Sequence, residues 1–119
     1  MDTKILPSYY IEKRPWGSFE QFILNEKATV KILELLPDRE FSLQKHSNRD
    51  EFWRVLDGAG IVTLDNERNP AKKGDEFYAP RGMAHRAKAS EEGMRILEIS
   101  MGTFDEHDET RLEDDFGRR

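Results

Sequence analysis

The chain contains no cysteine. That excludes a disulfide framework and thiolate chemistry, and it restricts any metal to histidine, carboxylate or amide ligands. No apolar run approaches the length of a membrane span, and the opening stretch MDTKILPSYYIEKRPWG lacks the apolar core of a secretory signal. Basic charge is scarce as well. Against 24 acidic residues stand 19 lysines and arginines, for a net charge of -5, and no Lys/Arg stripe offers the footprint of a nucleic-acid binder. The expectation is a cytoplasmic protein with neither membrane nor nucleic acid as partner. An anionic ligand would have to be met by a local cluster of arginines.

A long helical stripe is also missing, and alternation with period two takes its place. A length of 119 residues suits one domain with a single core, spanning 1–119 with the core over about 14–104 and an acidic tail over about 105–119. Thr29–Leu36, Glu51–Leu56 and Gly60–Asp65 are rich in β-branched, aromatic and leucine residues and are bounded by turn formers. DEFYAP, MRILEISMG and SFEQFIL read as further strands. DGAG, from Asp57 to Gly60, reads as a hairpin turn, and NERNPAKKGD, with its proline, reads as a connection. Seven or eight short strands at such spacing predict an all-β sandwich or barrel. The tail FDEHDETRLEDDFGRR reads as a solvated face, either one helical turn or extended over the barrel, with Phe116 pinning it and His107 at the surface.

The chemistry gathers in LQKHSNRDEFW, residues 43 to 53. On a strand, residues two apart share a face, which aligns Gln44, His46 and Asn48, and separately Glu51, Trp53 and Val55. A neighbouring antiparallel strand lies about 5 Å away, within reach for a carboxylate and an imidazole to share one ion. In GDEFYAPRGMAH, Pro80 and Gly82 shape a turn that returns His85 toward the first group. Taken singly, His46 or His85 reads as a structural histidine; together with Glu51 they read as a metal site. Trp16 and Trp53 read as packing residues, with Trp53 also on the cavity face.

Glu51 followed by Gly58, and the run Gly74–His85, resemble the two motifs of the cupins. RPWGSFE, SLQKH..R.EFW, P.G..HR and EDDFGR together resemble the cupin domain of type II mannose-6-phosphate isomerases, a domain often fused to a mannose-1-phosphate guanylyltransferase. The resemblance spans roughly residues 14 to 118 and implies a cupin double-stranded β-helix, a small jelly-roll barrel. It also implies a divalent metal (Zn, Mn, Co, Ni or Fe) on His46, Glu51 and His85. Asn48 departs from the family, which usually has histidine there, and an amide oxygen is the weaker ligand. Gln44 is the alternative, since type I mannose-6-phosphate isomerases are similar in using a Gln-x-His pair. Both remain candidate ligands.

The activity implied is interconversion of mannose 6-phosphate and fructose 6-phosphate, moving a proton between C2 and C1 through an enediol. Arg49 and Arg86 at the cavity margin are the candidate phosphate anchors, because guanidinium donates paired bonds to adjacent oxygens; Arg81 and Lys45 are less favoured candidates. Glu98, in ILEIS, matches a carboxylate position of the family and is the candidate base if it faces inward. The alternatives are a non-catalytic cupin that binds a sugar phosphate or sugar nucleotide, and an iron-dependent oxygenase. Phe52 and Leu56 point away from the cavity, to pack on a second sheet or on a partner; a homodimer is expected.

Overall fold

The computed structural model describes residues 6–103, 105, 107, 108 and 110–113. Phe116 and most of EDDFGR lie outside the described residues. In chain order the strands are β1 (Tyr10–Arg14), β2 (Gly17–Gln21), β3 (Ala28–Leu35), β4 (Leu43–Lys45), β5 (Arg49–Leu64), β6 (Glu67–Lys72), β7 (Glu76–Ala79), β8 (His85–Gly102) and β9 (Thr110–Glu113). No helix occurs among the described residues, and so none is long and apolar enough to cross a membrane.

Two long antiparallel strands, β5 and β8, organise the barrel. Their N- and C-terminal halves pair along nearly their whole length, Arg49 with Gly102 at one end and Leu64 with His85 at the other. Each bends midway and so serves two leaves. One leaf joins β3 and β7 to the Arg49–Val55 part of β5 and the Ile96–Gly102 part of β8. The other joins β6 and β4 to the remaining halves, with β9 against β4. This is the jelly-roll arrangement expected, and the tail, after a turn closed by the Asp108 N–H on the Asp105 carbonyl, runs extended over Thr110–Glu113.

DGAG is not a hairpin turn. It is the bend inside β5, where the register with β8 shifts between Val55 and Asp57 and again between Gly58 and Gly60. Gly58 has φ +78°, and a Cβ there would stand 2.1 Å from the Gly93 carbonyl oxygen; one on Gly60 would stand 2.0 Å from that of Lys88. Without side chains the backbones of β5 and β8 approach closely, and the ladder continues through the bend. NERNPAKKGD also departs from expectation, since its first part is β6. Pro70, opposite Ile61, is tolerated because among the described residues β6 pairs with β5 alone, so the missing N–H falls on an edge. The turn before it is made by Asp65 at φ +52°, a conformation aspartate accepts more readily than most residues.

Alternation then sorts side chains between two cores. Trp53, Val55, Val62, Ala87, Met94 and Ile96 fill the space between the leaves. Phe52, fully buried, points the other way and packs with Leu6 and Ile99 beneath Tyr9 and Phe22 of the N-terminal segment. Phe52 is therefore an internal packing residue. The β1–β2 hairpin has its own two-stranded ladder, and Arg54 ties it to the barrel by bridging Glu20 of β2 and Glu76 of β7. Trp16, expected to pack, is 71% exposed beside the hairpin turn.

Candidate metal centre

Glu51 enters the space between the leaves because β5 alternates, with Glu51, Trp53 and Val55 all turned inward and buried. His85 opens β8 and is also buried, aligned across the ladder with Gln44. His46 follows the end of β4 in a loop. These three residues carry ligand atoms that all lie within 4.8 Å of one another.

The imidazoles are oriented from behind. Nδ1 of His46 lies 2.7 Å from the Asp108 carbonyl oxygen and Nδ1 of His85 lies 3.2 Å from that of Met83. A carbonyl can only accept, so each Nδ1 carries a proton, and because the Arg49 guanidinium can only donate, the Nε2 of His46, 3.0 Å from Nη2, presents a lone pair. Both Nε2 atoms lie against Glu51: His46 Nε2 is 3.3 Å from Oε2, and His85 Nε2 is 3.3 Å from Oε1. Two donors each about 2.1 Å from an ion and at a tetrahedral angle stand about 3.4 Å apart. The donor set and spacing therefore suit a divalent cation, with the ring orientation fixed by backbone carbonyls in the way that tunes metal ligands.

Burial favours a neutral His46, holding it below the ordinary histidine range despite the opposing pull of the Asp108 carbonyl and Glu51. Burial acts to raise Glu51, but hydrogen bonding to His85 and to the Arg49 guanidinium outweighs it and holds Glu51 well below the carboxylate range. Glu51 also accepts the indole N–H of Trp53 at 3.2 Å. Glu98 lies opposite Trp53 in the β5–β8 register. It is 7% exposed, and burial with the charge of Glu51 pushes it up to about 7. It faces the interior.

The shared face of Gln44, His46 and Asn48 does not survive. β4 ends at Lys45, and the next residues turn, with the backbone amides of Ser47 and Asn48 bound at 2.8 and 2.7 Å by the Asp108 carboxylate. Period two applies only while a chain stays extended, so His46 is buried and Asn48 is exposed. Gln44 directs its amide nitrogen to Ser42, 2.9 Å from Oγ.

The three arginines also part company. Arg49 is not at the margin but inside, 5% exposed, with Nε 2.9 Å from Glu51 Oε2 and Nη2 3.0 Å from His46 Nε2. Arg81 pairs with Asp50 on the outer face and is half exposed. Arg86 donates to the Phe41 carbonyl at 2.9 Å and pairs with Glu40. Lys45 and His107 are exposed. Asp108 went unrecognised in the sequence. Within a run of acidic residues it has no local feature that sets it apart, and its contact with His46 spans 62 positions.

The sequence model of the family described as mannose-6-phosphate isomerase C-terminal matches residues 4–114. Alginate biosynthesis protein AlgA of Pseudomonas aeruginosa is 34% identical over 107 residues, which cover 88% of this chain and 22% of that protein. Xanthan biosynthesis protein XanB of Xanthomonas campestris is 32% identical over 107 residues, covering 88% of this chain and 23% of that protein. The chain thus spans less than a quarter of the length of these curated relatives. A cupin protein from Bacteroides fragilis superposes with a TM-score of 0.60 at 22% identity, covering 67% of this chain and 69% of that one. The barrel is the cupin fold.

Proposed function

This chain belongs to the mannose-6-phosphate isomerase C-terminal family, and on that footing we propose that it is a metal-dependent isomerase interconverting mannose 6-phosphate and fructose 6-phosphate. The observation that carries this reading is the buried set His46, Glu51 and His85, with both Nε2 atoms 3.3 Å from one carboxylate. These three residues would hold the ion, drawn from zinc, manganese, cobalt, nickel or iron. Bound there, a divalent cation supplies Lewis acidity to a sugar carbonyl.

The chain's own groups divide the remaining work. Isomerisation takes a proton from C2 and returns one to C1, which suits a group that both accepts and releases protons near neutrality. Glu98, pushed up to about 7 by burial and by Glu51, has that property and faces the same interior. Of the three arginines, Arg49 is the one that shares the cavity, and we assign it the sugar phosphate. Trp53 holds Glu51 in place through its indole N–H. A cytoplasmic homodimer completes the proposal, consistent with the exposed apolar residues Val30 and Ile32 of β3 and Leu36 just beyond it.

The second reading is a cupin that binds a sugar phosphate without turnover. It is favoured by the closure of the site, since the three donor residues are only 2–3% exposed. One experiment separates the two. Purified protein is incubated with mannose 6-phosphate and each divalent metal in turn, and fructose 6-phosphate is measured. The isomerase reading expects turnover that His46→Ala or His85→Ala abolishes. Thermal stabilisation by the sugar phosphate without product under any metal would replace it with the binding module.

A further inference from the structure

The guanidinium of Arg49 lies among the ligand atoms themselves. Its Nη2 is 3.0 Å from Nε2 of His46, and its Nε is 2.9 Å from Oε2 of Glu51. Because Nδ1 of His46 donates to the Asp108 carbonyl, Nε2 is that ring's one lone pair, and Arg49 is using it. We propose that Arg49 is an internal competitor for the metal: its guanidinium stands in for the cation when no ion is bound, and it must leave before one can bind. The inference rests on the metal-binding reading of His46, Glu51 and His85 and concerns how that site is loaded.

Three physical facts support it. A guanidinium stays protonated and has no acceptor, so it cannot become a ligand and can only donate to one. A nitrogen lone pair serves one partner at a time, so His46 Nε2 cannot hold both an N–H and an ion. The charges are also of the same sign. In a site where His46, Arg49 and Glu51 are 2–5% exposed, water screens the repulsion between a guanidinium and a divalent ion poorly. Without metal, Arg49 sets a positive charge against a buried carboxylate, with Nε 2.9 Å from Oε2. It also has somewhere to go, since Nη1 already reaches the Asp105 carbonyl at 3.4 Å, on the side away from Glu51.

The opposite role for Arg49 is an orienting one, in which it keeps its bond to Glu51 while the ion binds. The two roles predict opposite signs. Chelator-stripped wild type, Arg49→Met, Arg49→Gln and His46→Ala proteins are titrated calorimetrically with Zn²⁺, and their melting temperatures are recorded with and without it. Competition expects Arg49→Met to bind Zn²⁺ at least tenfold more tightly than wild type, and its melting temperature to rise further on metal addition. The apoprotein of that variant should melt lower than wild type. Equal or weaker binding by Arg49→Met, beside wild-type binding that His46→Ala removes, overturns the competition and leaves the metal site standing. Absence of Zn²⁺ binding in both wild type and Arg49→Met overturns the metal site and the competition together. Should Arg49→Met fail to fold, Arg49→Gln decides: it removes the charge and keeps a polar side chain of similar reach, and an affinity gain below twofold overturns the inference.

Discussion

The peptide oxygen of Asp108 and Nδ1 of His46 lie 2.7 Å apart, across 62 positions of sequence. The carboxylate of the same aspartate accepts from the amides of Ser47 and Asn48, which hold its pKa below the usual aspartate range. One residue thus sets both the tautomer of His46 and the shape of the loop that carries it. Groups behind a ligand commonly account for ten- to a hundredfold in metal affinity. Asp108→Ala keeps the carbonyl but frees the loop, and it should weaken Zn²⁺ binding about tenfold by calorimetry. An unchanged affinity would mean that the loop holds its shape without the carboxylate.

Asn48 occupies the position at which the family resemblance leads one to expect a ligand, yet it is exposed where the donor residues are buried. A histidine introduced there starts from the surface side of the loop. Asn48→His should therefore change metal affinity by less than about threefold, a change worth well under 1 kcal/mol. A tenfold gain in the same titration would show that residue 48 turns inward.

Glu98 offers a test by pH. Its folded pKa, about 7, lies above the ordinary 4.5 because it is buried and faces Glu51. The folded chain then keeps a proton that the unfolded chain has released, so stability falls as pH rises between these two values and levels off above them. In the metal-free protein Glu98→Gln removes this fall. Relative to wild type the variant should gain roughly 3 kcal/mol on moving from pH 4 to pH 8, read from urea denaturation at each pH. Parallel stability profiles for the two proteins would place the Glu98 carboxyl in contact with water.

Arg54 holds the N-terminal hairpin to the barrel through Glu20, with Nη1 and Oε1 2.9 Å apart, and through Glu76, with Nε and Oε2 2.6 Å apart. Hydrogen bonding to Arg54 is the main reason that Glu20 is held down to about 2. A depressed carboxylate contributes fully above its ordinary pKa and loses that contribution as pH falls toward the folded value. The pair is 22–28% exposed, so solvent screening trims its worth. Arg54→Met should cost about 1–2 kcal/mol at pH 7, and the gap to wild type should narrow between about pH 4.5 and pH 2. A gap that stays constant across that range would assign the loss to packing against Phe22, over which the guanidinium lies at 5.0 Å.

Much of this was legible from local pattern. Period-two alternation located the strands and turned Glu51, Trp53 and Val55 to the same side, because in an extended chain neighbouring side chains must point oppositely. The same rule misled where the chain stopped being extended, at Ser47 and Asn48. It also could not tell a turn from a bend at Asp57–Gly60, since glycines serve both. What permitted the bend was the backbone of β8 lying against Gly58 and Gly60, a neighbour some thirty positions further along.

The sequence by itself determined the residue chemistry: no thiol, two histidines and a glutamate spaced for one ion, and a strand pattern that suits a barrel. Only the tertiary structure decided which charge stands among those donors and what holds them. Arg49 and Asp108 are ordinary in their local runs. They matter because folding brings a guanidinium and a peptide oxygen within bonding distance of one imidazole, and in a water-poor interior such neighbours govern what that ring can bind.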